Sequence, residues 1–294
     1  MPFQLNTYFD EQSFQKITGL SRPFSGYPMR ILDEKETAAQ VALAHAEIER
    51  AKSRNVSDDS RVGAWDSCWS NALEMGGLMA VPPYLLNQKI IRLWGGYAET
   101  SEQFMPAFQR AIVCALAQKH FRECDDIVEI GSGAGFNLAC IAREAMPKAP
   151  RLTGYDRSTA AAEAASTVAR NFGLPMTVLP CGDLRKDASR VHLPSGAGVL
   201  TCGFMEQLGR EWRAVLDMLL AHDGPIVHIE PFAEMYDGED YMEHLALEYH
   251  RARGYLDGYL TELRKCATVI DEKRVCLGSQ WNDGYSYVVW RKRG

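Results

Sequence analysis

The stretch Glu129-Ile130-Gly131-Ser132-Gly133-Ala134-Gly135-Phe136-Asn137 is the part of this sequence best equipped for chemistry. It follows the β-branched Ile127-Val128 and runs into Leu138-Ala139-Cys140-Ile141-Ala142, so strand, glycine turn and helix start come in immediate succession. Three glycines let a ligand approach the backbone with no Cβ in the way, and the amides of a helix start offer it donors. Carboxylates downstream extend the set. Gly154-Tyr155-Asp156 and Cys181-Gly182-Asp183-Leu184 each put an acid just past a strand-like run, as do Cys202-Gly203-Phe204-Met205-Glu206 and His228-Ile229-Glu230. His228 and Glu230 lie two apart and so point the same way on a strand. Each has an ordinary alternative. Asp156 can cap a helix, Asp183 can start a turn, Glu206 and Glu230 can cap or pair, and a strand histidine is more often a satisfied core residue than a base.

These residues need a frame, and the pattern from Asp125 onward supplies one. Strands at 126–130, 151–155, 176–179, 198–201 and 225–229 alternate with helices to about Ala145, from Ser158 to Asn171 and from Gln207 to Ala221. Such alternation predicts an α/β, doubly wound, mostly parallel sheet with ligands at the C-terminal ends of its strands. A long helix from Asp240 to Lys265 follows. Ala267–Leu277 and Tyr285–Trp290, joined by the turn-rich Gly278–Gly284, then predict an antiparallel C-terminal hairpin at the sheet's edge. Residues 1–122 read differently, as a helical N-terminal cap without strands of its own. Its helices are expected around Gln12–Ile17, after the Asp33/Glu36 capping pair as far as Lys52, from Trp65 to Met79, and from Ser101 to Phe121. The aromatics Phe3, Tyr8, Phe9, Tyr27, Trp94 and Tyr97 pack this cap or line a pocket beneath it, with Arg92 a candidate partner for a ligand carboxylate. Val81-Pro82-Pro83-Tyr84 reads as a loop.

Length and composition exclude several classes of function. With 294 residues, 46% of them hydrophobic, the chain can bury a full-sized core, and a net charge of -6 disfavours a nucleic-acid partner. Eight cysteines without a C-x-x-C pair read as reduced intracellular thiols, with no metal site implied. Nothing approaches a membrane span or a secretory leader. The expected setting is therefore the cytoplasm, and the expected partner a small-molecule substrate, with a homodimer compatible and neither nucleic acid nor membrane involved.

Glu129-x-Gly131-x-Gly133-x-Gly135, with Asp156 and Asp183 after the next two strands, resembles the nucleotide-binding signature of class I S-adenosylmethionine-dependent methyltransferases. The competing nicotinamide pattern, G-x-G-x-x-G, wants a small residue where Phe136 stands. The resemblance covers about residues 125–294. It implies a Rossmann-like domain over 123–294 with S-adenosyl-L-methionine as cofactor. The cofactor side is then Glu129, Gly131, Ser132, Gly133, Gly135 and Asn137 from the turn, Asp156 and Arg157 at the ribose, Asp183 and Leu184 at the adenine, and Cys202 beside the fourth strand. Glu206, Glu230 and His228 are the candidates for the acceptor side. Methylation of an N or O atom on a small molecule is expected, with an amine or guanidine as leading subcase. An NAD(P)-dependent oxidoreductase and a non-catalytic scaffold are the alternatives.

Overall fold

The N-terminal third carries strands as well as helices. A computed structural model describes residues 8–53, 58–148 and 150–294, with the side chains of 58–63 excepted, so Phe3 lies outside the described residues. The strands are β1 (Tyr8–Phe9), β2 (Tyr27–Ile31), β3 (Ile90–Leu93) and β4 (Gly96–Thr100), and they pair antiparallel in the order β1-β2-β4-β3. The expectation of a strandless cap fails because these segments are two to five residues long and punctuated by Pro and Gly, too short for alternation to register. Trp94 and Gly95, with φ of 49° and 73°, form the left-handed turn that a tight β3–β4 hairpin needs. The expected helices form as α1 (Glu11–Thr18), α2 (Glu34–Ser53), α3 (Asp58–Ser70), α4 (Ala72–Gly76) and α5 (Phe104–His120). At the start of α2, Asp33 accepts from the Glu36 amide at 2.8 Å and Glu36 from the Asp33 amide at 3.0 Å, a reciprocal capping box.

From Asp126 the alternation is realised as β5 (Asp126–Ile130), α6 (Phe136–Glu144), β6 (Arg151–Asp156), α7 (Thr159–Phe172), β7 (Met176–Pro180), β8 (Gly198–Cys202), α8 (Arg213–Leu220) and β9 (Ile226–Ile229). Then come α9 (Tyr241–Ala252), α10 (Tyr259–Cys266), β10 (Ala267–Lys273), β11 (Leu277–Gly278) and β12 (Tyr287–Lys292). One seven-stranded sheet runs β10-β12-β9-β8-β5-β6-β7, with β5 to β9 parallel and β12 antiparallel to both its neighbours. This is the Rossmann-like, mostly parallel sheet expected. The C-terminal strands do pair antiparallel, but β12 lies inside the sheet between β9 and β10, and the buried run Tyr287-Val288-Val289-Trp290 needs cover on both faces. The excursion between them contributes β11 to the N-terminal sheet, where it pairs with β3.

Three expected helices are interrupted, the first of them, expected from Trp65 to Met79, dividing at Asn71 into α3 and α4. Met205–Leu208 is a short 3-10 turn that stops at Gly209, and α8 begins only at Arg213. The predicted helix over 240–265 breaks at Arg253–Gly258, where Gly254 and Gly258 take φ of 63° and 75°. Residue 122 marks a change of architecture rather than a gap in packing. One continuous core joins Phe9, Phe104 and Phe108 of the N-terminal part to Ile127, Leu138, Val227 and Tyr287. Truncating a fully buried phenylalanine such as Phe108 costs roughly 3–5 kcal/mol. All eight cysteines are free thiols, and among the described residues no helix is long and apolar enough to cross a membrane.

Candidate functional site

The glycine turn joins β5 to α6, and four of its amides bond inside the protein. Gly131 and Ser132 donate to the Tyr155 carbonyl at 2.7 and 3.1 Å, Gly133 donates to Asp156 Oδ2 at 2.8 Å, and Gly135 donates to the Ser132 carbonyl at 2.9 Å. These four amides are thus spent inside the protein. The glycines serve close approach instead. All three have positive φ, and a Cβ would lie 2.5 Å from Phe204 Cβ at Gly131, 2.3 Å from the Trp69 ring at Gly133 and 2.7 Å from Met176 Sδ at Gly135. Trp69, on α3, thus lies directly on the turn, and Phe204 reaches it from the loop after β8.

A cavity of about 620 Å³ opens at the C-terminal ends of the parallel strands, within the size range of small-molecule sites. Gly131, Asp156, Arg157, Asp183, Leu184, Cys202 and Glu206 line it. Ser132, Gly133, Gly135, Glu129, Asn137, His228 and Glu230 stand behind the wall. Asp156 is half-buried and braced by the Gly133 amide and, at 2.9 Å, by the Ser158 amide; burial raises its pKa against those bonds. Asp183 is clasped by Arg185, whose Nε and Nη2 donate at 2.9 and 2.8 Å, and that guanidinium holds its carboxyl below the ordinary range.

Behind the turn, Glu129 is fully buried and pushed up to about 8, chiefly by burial. Its Oε1 accepts from Asn137 Nδ2 at 2.7 Å, Asn137 Oδ1 accepts from Gln109 Nε2 at 3.0 Å, and Gln109 Oε1 accepts from the Tyr285 hydroxyl at 3.3 Å. Tyr285 and Gln109 line the cavity, so this chain of bonds runs from its wall to Glu129, whose Oε2 has no partner among the described residues. A buried oxygen left so is costly.

Glu206 is the carboxylate that enters the cavity beyond β8. It accepts from Gln207 Nε2 at 2.7 Å, and burial, then the nearby Glu230 charge, push it up to about 8. Glu230 and His228, the other two acceptor-side candidates, do not reach the cavity, because both are turned into the sheet. Glu230 accepts from the Thr201 hydroxyl and from loop amides. His228 lies between Thr201 Oγ1 and the Tyr259 hydroxyl, each 2.8 Å away, and burial pushes its pKa down to about 3. It is a neutral core histidine.

Sequence reasoning missed most of the remaining wall. Trp65 and Tyr84 come from the N-terminal part, Tyr249, Arg253 and Tyr255 from the interrupted helix, and Trp281 from the excursion before β12. Gly254 and Gly258 were the available signal for the interruption. The aromatics singled out instead belong elsewhere. Phe9 packs on Phe24, Phe104 and Phe108, Tyr27 on Phe24 and Phe104, and Tyr97 is buried beside Arg92, while Tyr8 is exposed. Arg92 is itself buried, paired with Asp283 at 3.2 Å and donating to the Met242 carbonyl at 2.7 Å. Trp94 packs at the margin of the core.

No protein-family model and no curated protein matches this chain. Among solved structures it is similar to the mitomycin 7-O-methyltransferase MmcR, at 18% identity over 64% of this chain and 55% of that one, with a TM-score of 0.47. It is also similar to the pyocyanin biosynthetic protein PhzM, at 18% identity over 64% and 56%, with a TM-score of 0.46. A third likeness is to the SAH-bound methyltransferase PaMTH1 of Podospora anserina, at 14% identity over 90% and 99%, with a TM-score of 0.48. The chain spans about half the length of the first two. Likenesses this distant leave the assignment to the geometry of the site.

Proposed function

We propose that this protein is an S-adenosylmethionine-dependent methyltransferase acting on a small aromatic molecule that carries a hydroxyl group. The observation that carries the reading is one continuous cavity reaching from Asp156, Asp183 and Leu184 past Gly131 and Cys202 to Glu206. A long ligand can lie along that line with its nucleoside end at β6 and β7 and its reactive end over β5 and β8. The residues fit such a group. Asp156 retains acceptor capacity for ribose hydroxyls, since a carboxylate offers more acceptor sites than the amides of Gly133, Ser158 and Arg157 fill. Glu129 Oε2 is an orphaned buried acceptor behind the turn. Phe136, buried at 5% exposure, fills the position that a dinucleotide turn keeps small.

S-adenosylmethionine supplies an electrophilic methyl on a sulfonium. The chain's own part is to hold the acceptor atom in line with it, keep water away and take the proton that the acceptor loses. Trp65 and Trp69 of α3, with Tyr84, give the cavity an aromatic cover, and Tyr249, Tyr255 and Trp281 give it an aromatic wall. Glu206, with a pKa near 8, is matched to accept a proton near neutral pH. A guanidine or amine acceptor loses its support, because that subcase drew on Glu206 and Glu230 converging, and Glu230 faces away.

Calorimetry with S-adenosylhomocysteine tests the cofactor: binding is expected and should weaken at least about tenfold in Asp156→Ala, the loss of one charge-assisted pair of hydrogen bonds. Binding untouched by that change, or binding of NADH in its place, would overturn the reading. Labelled methyl transfer into a cell extract, followed by mass spectrometry of the product, tests the acceptor, and a label on nitrogen or carbon would refute the hydroxyl assignment.

A further inference from the structure

Glu230 is fully buried, yet its carboxylate collects four donors. Oε1 accepts from Thr201 Oγ1 at 2.8 Å, from the Phe204 amide at 3.1 Å and from the Met205 amide at 3.0 Å, and Oε2 accepts from the Glu206 amide at 3.3 Å. Its own amide donates to the Ser286 carbonyl at 2.9 Å, and the Gly203 amide donates to Ile229 at 3.0 Å. The loop after β8 is therefore tied to the end of β9 at four consecutive residues. That loop carries both groups the cavity depends on: Phe204, whose ring packs on Gly131, and Glu206.

The atoms behind Glu230 have one arrangement that satisfies every donor. The single proton of the Thr201 hydroxyl goes to Glu230, so Thr201 Oγ1 accepts from His228 Nδ1–H. His228 Nε2 then accepts from the Tyr259 hydroxyl. A neutral His228 suits this, and the chain ends in the core at Tyr259, whose ring is wholly buried.

We infer that Glu230, backed by Thr201, His228 and Tyr259, is a positioning residue that holds the Gly203–Glu206 loop and sets the direction in which Glu206 enters the cavity. The inference rests on the reading of Glu206 as the proton acceptor. It also has an electrostatic consequence. Glu206 faces Glu230 and Cys202 from the strand ends, Arg253, Tyr249 and Tyr255 from the break after α9, and Tyr84 from the N-terminal part. Among these, Glu230, itself pushed up to about 7 by burial, is the group whose negative charge opposes ionisation of Glu206, and Arg253 favours it. Glu230 in turn faces Cys202 and Tyr259, both held protonated by burial. Removing the Glu230 charge must therefore make Glu206 easier to ionise.

Glu230→Gln keeps the shape and removes the charge, but its amide nitrogen cannot accept from the Glu206 amide. In protein carrying ¹³C-carboxyl glutamate, the Glu206 titration followed by NMR is expected to move to lower pH in this variant. With an acceptor in hand, kcat is expected to fall about tenfold or more, as for a reacting group slightly misplaced, with KM and the affinity for S-adenosylhomocysteine changed less than about threefold. An unmoved Glu206 titration, or an unchanged kcat, refutes the inference. Should Glu230→Gln fail to fold, Thr201→Val decides, with a smaller shift in the same direction that Thr201→Ser restores; identical behaviour of the two threonine variants also refutes it. The NMR titration needs neither cofactor nor acceptor, so it judges the positioning role separately from any failure of S-adenosylhomocysteine to bind the unaltered protein.

Discussion

The carboxylates at the two ends of the cavity differ most where Asp183, held low by Arg185, is set against Glu129, Glu206 and Glu230, which burial raises. Asp156 is raised by burial too, against the amides of Gly133 and Ser158. At the β6 and β7 end, Asp156 and Asp183 sit in half-buried turns with donors from their own neighbourhood, and Asp183 is kept ionised by Arg185. At the β5, β8 and β9 end, Glu129 on β5, Glu206 in the turn after β8 and Glu230 just past β9 are held where burial outweighs their hydrogen bonds and pushes them up to about 8, 8 and 7. The difference follows from position in the sheet. Inner strands are covered on both faces, so an acid at their ends loses water that nothing fully replaces. An acid kept charged by a guanidinium, as Asp183 is, suits binding a neutral base, and one balanced near neutrality suits taking up a proton.

The strongest way to break this contrast is to neutralise the acid at the reactive end. Glu206→Gln should lower turnover about 100-fold or more, the scale of a lost general base, while leaving S-adenosylhomocysteine affinity nearly unchanged. In the unaltered protein the rate should rise with pH and level off above about 8, as Glu206 ionises. A pH–rate profile checks both statements, and a Glu206→Gln variant that keeps the rising limb would dissolve the contrast.

A second effect of comparable origin appears in stability. Glu129 is raised from 4.5 to about 8, so the folded state holds its proton more tightly than the unfolded chain does. Its contribution is full below about pH 4.5 and is lost as pH rises to 8, on the order of a few kcal/mol. Thermal melts without ligand should therefore show stability falling across that window, and Glu129→Gln should flatten the fall by being relatively more stable at pH 8 than at pH 5. Equal slopes for the two proteins would mean that Glu129 titrates near its ordinary value.

The same contrast explains what was legible in the sequence. The parallel sheet could be read because strands such as Ile127–Ile130 and helices such as α7 are continuous apolar patterns of the right period. Asp156, Asp183 and Glu206 could be placed at the cavity because each lies at or within a few residues of the C-terminal end of a parallel strand. The fate of Glu230 could not, since its direction depends on Thr201 and on three amides of a loop that local pattern does not describe. The strand β1 escaped for a related reason: Tyr8–Phe9 is two residues long, and it is a strand only through its pairing with β2. Arg253 and Tyr255 were hidden inside an apparently continuous helix, although two glycines four residues apart were the physical hint that it breaks.

The smallest predicted effect lies at the charged end and sharpens the comparison by its flatness. Arg185→Ala removes the clasp on Asp183, whose pKa then returns toward the ordinary carboxylate range, still far below neutrality. Between pH 6 and 8 Asp183 stays ionised in both proteins. Freed of Arg185, its carboxylate can turn to an adenine amino group, so affinity for S-adenosylhomocysteine should change by less than about tenfold, the scale of one charged hydrogen bond. The change should also be the same at pH 6 and pH 8. Calorimetry at the two values checks this, and an effect of Arg185→Ala that grows with pH would show that the β7 end shares the near-neutral titration assigned here to the inner strands.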